Sequence, residues 1–146
     1  MPLLRHLRTA DPDGLLREVI VVDGGSSDRT VELAAAEGAR ALIASRRGRA
    51  TQMNEGARKT TGSVLYFLHA DTMPPYLFPH SILTAIGLGA CSGCFRLSFD
   101  HPHWLLRASS WVTRFDVDAV RFGDQSLFVR RSTFERCGGF DERSAM

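Results

Sequence analysis

The chain is 146 residues long, enough for about one domain, and its 44% hydrophobic and 23% charged residues exclude an intrinsically disordered protein. A formal charge of +2, with a single tight basic cluster (Arg46, Arg47, Arg49) that no aromatics interleave, gives no ground for nucleic-acid binding. Three cysteines are too few, and odd in number, for a secreted disulfide scaffold, so a reducing cytoplasm is expected.

Taken in order, residues Pro2 to Arg8 read as an amphipathic helix with Leu3, Leu4 and Leu7 on one side. The stretch has no apolar run long enough for a signal peptide. A turn at Asp11 to Gly14 leads to an apolar strand, Glu18 to Val22, that ends at Asp23. Gly24 and Gly25 let the backbone turn, and Ser27 or Asp28 can cap a helix from Arg29 to Glu37 that Gly38 stops. This is strand, polar loop, helix.

A short strand, Arg40 to Ser45, precedes the basic loop and a helix from Ala50 to Lys59. Met53 and Ala57 of that helix can face a sheet, leaving Gln52, Asn54 and Glu55 for solvent or a ligand. Val64 to Leu68 is apolar throughout, which predicts a strand covered on both faces. Beyond it, His69 and Asp71 are two residues apart, so on an extended backbone they would point the same way, past the strand's carboxyl end where open α/β sheets bind ligands.

Residues 72 to 95 carry no Asp, Glu, Lys or Arg, but Pro74, Pro75, Pro79 and several glycines argue against a transmembrane span. A helix is expected near Ser81 to Ile86, and an alternating strand with one wet side at Cys94 to Phe99. The stripe Trp104, Leu105, Ala108, Trp111, Val112 and Phe115 predicts a helix packed on the core. Ser126 to Arg130 reads as a strand, and Ser132 caps a last short helix ended by Gly138 and Gly139. Cys91 and Cys94 form a CxxC, which reads as structural thiols because no further ligands stand at a zinc-site spacing. Alternating strands and helices with short connections predict a single α/β domain, its sheet mostly parallel and flanked by helices, with room for mixed strands near the end.

Three polar clusters follow apolar strands: Asp23 with its glycine loop, His69 with Asp71, and Asp124 with Gln125. Carboxylates on one rim repel a diphosphate unless a divalent cation bridges them, and hard cations take oxygen ligands. An acid directly beyond a buried strand is poorly explained by packing, so Asp71 is the first candidate ligand. His69 reads as a structural histidine before it reads as a second ligand, and Asp23 equally well as a turn cap. No G-x-S-x-G elbow, phosphate loop with lysine or dinucleotide fingerprint is present.

The combination VIVVDGGSSDRT (19–30), GRATQMNEGA (48–57), FLHADT (67–72), GDQ (123–125) and GGF (138–140) resembles the family 2 glycosyltransferases of the GT-A fold. More narrowly it is similar to the bacterial subgroup described as associated with radical-SAM and selenium-related proteins. The resemblance implies a nucleotide-diphospho-sugar donor, with Asp23, Gly24 and Arg49 at the nucleotide and Asp71 holding the diphosphate through Mg²⁺ or Mn²⁺. His69 stands where the family's DxD motif has its first acid. Transfer in the family is inverting, to an acceptor this sequence does not name; Asp124 is taken as the base, with Asp141 and Glu142 as alternatives, and Gln125 as an acceptor contact.

By the same resemblance, residues 1–146 form one domain shortened at both ends. The family's first strand, which ends in a Pro-x-x-Asn-Glu-like segment inside the sheet, would precede Met1, and its acidic pair would follow Met146. The two strand edges left open would favour a homo-oligomer. The rival readings are a binding module without turnover and a nucleotidyltransferase, which would attack the α-phosphate.

Overall fold

The computed structural model describes residues 1–95 and 126–143. They form ten elements: α1 (Pro2–Thr9), β1 (Ile20–Asp23), α2 (Thr30–Ala36), β2 (Arg40–Ile43), α3 (Arg49–Lys59), β3 (Val64–Phe67), α4 (Phe78–Gly87), β4 (Ser92–Cys94), β5 (Leu127–Arg130) and α5 (Arg131–Arg136). The helix expected at Trp104 to Phe115, the end of the strand expected at Cys94 to Phe99, and Asp124 with Gln125 lie outside the described residues.

The α/β architecture is as expected. β1 and β2 pair in parallel, Ile20 opposite Arg40 and Asp23 opposite Ile43. β5 lies between β3 and β4 and is antiparallel to both, with Val64 opposite Arg130 and Ser92 opposite Val129. Among the described residues the strands thus pair as two sheets, one parallel and one antiparallel and centred on β5, so two of the three ladders are antiparallel where a mostly parallel sheet was expected. Among the described residues no ladder joins β1 to β3.

β3 is covered on both faces, as its unbroken apolar sequence requires. Successive side chains of a strand alternate, so Val64, Tyr66 and Leu68 face one cluster with Phe78 and Ile82 of α4, Leu4 and Leu7 of α1, and Phe128. Leu65 and Phe67 face a second, with Ala57 of α3, Val129 and Phe134 of α5. Rings knit each cluster together: Tyr66 lies 5.3 Å from Phe78 and 5.9 Å from Phe95, and Phe67 lies 5.0 Å from Phe140.

α1 keeps its predicted apolar side, with Leu4 and Leu7 buried. The terminal ammonium of Met1 and the Arg5 guanidinium both pair with Glu37, at 3.0 and 2.7 Å, which fastens α1 to the end of α2. α4 starts earlier than expected, at Phe78, because Pro79 falls in its first turn, where a missing N–H costs nothing. Ser132 is not the cap of the last helix: α5 begins two residues earlier than that cap would set, with Arg130 in extended conformation at the cap position and no side-chain cap bond. Asp28 does serve α2, accepting the Thr30 N–H at 3.0 Å from one position outside the cap.

The two residues that close β5 have separate tasks. Arg130 donates to the carbonyls of Ala90 (3.0 Å) and Ile86 (2.6 Å), at the end of α4. Arg131 donates to the carbonyls of Gly62 (2.8 Å) and Ala57 (3.2 Å) and to the Thr60 hydroxyl, at the end of α3. Ile86 and Ala57 also accept the N–H groups of Gly89 and Thr60, so each guanidinium adds a second donor at a helix end that already closes on itself.

Candidate functional site

β1 delivers Asp23 into a tight loop. Asp23 is buried (7% exposed), and its carboxylate accepts the N–H groups of Gly25 and Ser26, both at 2.8 Å, and the Ser26 hydroxyl. These donors, Ser26 first and then Gly25, with the Arg47 charge behind them, hold the carboxyl below its ordinary pKa of 3.8. Asp23 thus caps its own turn, one of the two roles the sequence left open. Gly25 has φ +92°, a conformation L side chains avoid, so the turn needs glycine there.

The basic loop and α3 press on this turn from outside. Arg47 donates to the Gly25 carbonyl at 3.1 Å, and Gln52 donates to the Val22 carbonyl at 2.8 Å. Arg46 is engaged elsewhere, with Glu142 at 2.7 Å and the Thr51 hydroxyl at 3.1 Å. Arg49 opens α3 and is exposed.

The second predicted cluster lies beyond β3. Asp71 is exposed and His69 half-buried. The Thr72 N–H donates to the His69 carbonyl at 3.1 Å, closing a turn at Ala70 and Asp71, and the Thr72 hydroxyl donates to Asp71 at 3.3 Å. The chain therefore turns where an extended run was expected, and the two-residue spacing does not by itself align the imidazole with the carboxylate.

Three contacts relate the two clusters. Glu18, just before β1, accepts the N–H of Thr61, just before β3, at 2.8 Å. Arg40, at the start of β2, donates to the Lys59 carbonyl at the end of α3 (3.2 Å), while Gln52 near the start of α3 touches the end of β1. The starts of β1 and β3 are therefore neighbours, as are the start of β2 and the end of α3, and the Asp23 loop and the 69–71 turn each follow the carboxyl end of a strand. Among the described residues no three His, Cys, Asp or Glu side chains gather at one point. A cation at Asp71 would complete its shell from phosphate and water, the usual habit of Mg²⁺, and an exposed carboxylate is a fitting donor for it.

The helix expected to leave three polar side chains for solvent or a ligand commits them all to the fold. Besides Gln52, Glu55 accepts the Ser45 N–H at 3.1 Å. Asn54 is buried and pairs with the backbone of Phe140, giving and taking a hydrogen bond at 2.9 Å each, and also donates to Glu142 at 2.8 Å. Asn54 and Phe140 are 86 residues apart, so no local pattern could have found the pair. Cys91, Cys94 and Cys137 are free and exposed.

The model of glycosyl transferase family 2 matches residues 3–134. The chain belongs to this family. No curated protein matches it. Among solved structures, this family 2 chain is similar to glucosyl-3-phosphoglycerate synthase from Mycobacterium tuberculosis in complex with phosphoglyceric acid, with a TM-score of 0.60 at 20% identity over 90% of this chain and 53% of that one. It is similar also to the same synthase in complex with Mn²⁺, UDP-glucose and phosphoglyceric acid, with a TM-score of 0.59 at 21% identity over 89% of this chain and 52% of that one. The chain thus spans about half the length of the structures it matches, and the likeness establishes the GT-A fold expected from the motifs. Among the described residues of this family member no helix is long and apolar enough to cross a membrane.

Proposed function

We propose that the chain binds a nucleotide-diphospho-sugar at the rim shared by the Asp23 loop and the 69–71 turn, and that the sugar passes with inversion to an acceptor hydroxyl. The observation that carries this reading is the exposed carboxylate of Asp71, set just beyond a strand covered on both faces, in a chain of family 2. The loop receives the nucleotide, with Arg49 beside it, and Asp71 holds the diphosphate through Mg²⁺ or Mn²⁺. When bound, the cation neutralises charge that builds on the leaving diphosphate. Support for a metal comes from the Mn²⁺ and UDP-glucose named in the similar synthase complex.

The choice of base narrows on chemical grounds. A useful base has a pKa near working pH. Glu142 accepts from Asn54, Arg46 and Thr51, which hold it below its ordinary 4.5. Asp124 remains the proposed base, and Gln125 the proposed acceptor contact.

The test is calorimetric titration of UDP with and without Mn²⁺ on the wild type and Asp71→Ala. Mn²⁺-dependent binding that disappears in Asp71→Ala, with an unchanged melting transition, supports the proposal. Equal affinity in the two proteins removes the metal role. Incubation with UDP-sugars, and separately with UTP and a sugar 1-phosphate, then separates the chemistries: release of UDP and sugar from the first marks a transferase, and release of pyrophosphate from the second marks a nucleotidyltransferase.

A further inference from the structure

Gln52 of α3 is half-buried, and its carboxamide is committed to the backbone of the neighbouring loop. The carbonyls of Val19 and Asp23 accept from the N–H groups of Arg40 and Ala44, on the β2 side. Carbonyls alternate along a strand, so that of Val22 turns to the opposite edge of β1, which no described strand pairs. The Gln52 Nε2 donates to it at 2.8 Å. On the other side of Asp23 the same carboxamide lies over Gly24, where an added Cβ would stand 3.3 Å from Nε2 and 3.4 Å from Cδ and Oε1. Arg47 holds the next carbonyl, that of Gly25, at 3.1 Å. The backbone on both sides of Asp23 is thereby held from outside while the carboxylate is held from within.

We infer that Gln52 is a positioning residue for the donor site: through Val22 and Gly24 it sets where the Asp23–Ser26 loop meets its ligand, without touching the ligand. The inference rests on the reading that this loop receives the donor nucleotide. A mere space-filler of equal length would serve as well without an N–H, and that difference is testable. Gln52→Met keeps the length and removes the donor. Gln52→Glu keeps the shape and offers only acceptors to a carbonyl. Gln52→Lys returns a donor.

The experiment pairs UDP titration in the presence of Mn²⁺ with amide hydrogen exchange of the ligand-free proteins. In Gln52→Met the UDP Kd weakens by about tenfold, equivalent to about 1.4 kcal/mol, and Gly25 and Ser26 exchange faster without ligand. Gln52→Glu shows a larger effect, and Gln52→Lys recovers both readouts. Gly24→Ala, which crowds the carboxamide, weakens UDP binding less in a Gln52→Ala background than alone, because the two changes act at one contact.

Affinity within about twofold of wild type in Gln52→Met, with unchanged exchange, overturns the inference. Weakened binding with unchanged exchange overturns it as well, by assigning Gln52 to direct ligand contact. If the wild type takes up no UDP the proposed function falls, and the exchange of Gly25 and Ser26 alone decides the role of Gln52: faster in Gln52→Met for it, unchanged against it.

Discussion

The carboxamide of Asn54 pairs with Phe140 as one strand residue pairs with another, giving an N–H to its carbonyl and taking its amide proton, both at 2.9 Å. The pair fastens the segment after α5 to the middle of α3. Just before it, Gly139 has φ +79°, and a Cβ there would stand 2.7 Å from the Asn54 Oδ1.

Gly139→Ala therefore meets two penalties where Gly138→Ala meets one. Both glycines have φ +79°, but a Cβ at Gly138 finds nothing within 4 Å. Gly138→Ala should cost about 1 kcal/mol from backbone strain alone. Gly139→Ala should cost about 2 to 3 kcal/mol, because it also drives Asn54 from its buried partners. Urea denaturation measures both, and equal losses would show that the Asn54 contact adds nothing.

Acid should loosen the same junction. Asn54 first, then Arg46 and Thr51, hold Glu142 below its ordinary pKa of 4.5. A carboxylate depressed in the folded state stabilises above its unfolded pKa and loses that contribution as pH falls through the folded value. Glu142→Gln should therefore melt below wild type at neutral pH and approach it as pH drops under 4.5. A constant gap in melting temperature across that window would remove the charge from the account.

At the other end of the scale Tyr66 sets an alkaline limit. Burial against Phe78 and Phe95 pushes its hydroxyl up to about 12, with Ser126 pulling the other way. An acid whose folded pKa is raised keeps the fold's full stability below its unfolded value, about 10, and loses it as pH rises toward the folded one. Melting temperatures should fall above about pH 10 in wild type and less steeply in Tyr66→Phe. Parallel curves would mean that the hydroxyl ionises without consequence for the fold.

The sequence made the framework legible where signals are local. The apolar run at Val64 to Phe67 declared a strand covered on both faces, and Asp23 followed by two glycines declared a tight loop after a strand. Element ends were harder, because Pro79 reads as a breaker until its place in a first helical turn is known. What stayed hidden was the use of polar side chains across long separations. Gln52, Asn54 and Glu55 carry the composition of a solvent face, yet each is taken up by a backbone partner on another element. The antiparallel setting of β5 was hidden for the same reason, since strand direction is decided by partners far along the chain.

Arg130 and Arg131 give the molecule an order of assembly during translation. When the ribosome has released the chain only as far as Phe95, α3 and α4 both exist as sequence, but the guanidinium groups that reach their carboxyl ends are still unborn. Two neighbouring codons then supply the donors to both helix ends at once. A pause before them leaves an emerging polypeptide without these contacts and with the flank of β3 that β5 will cover still bare.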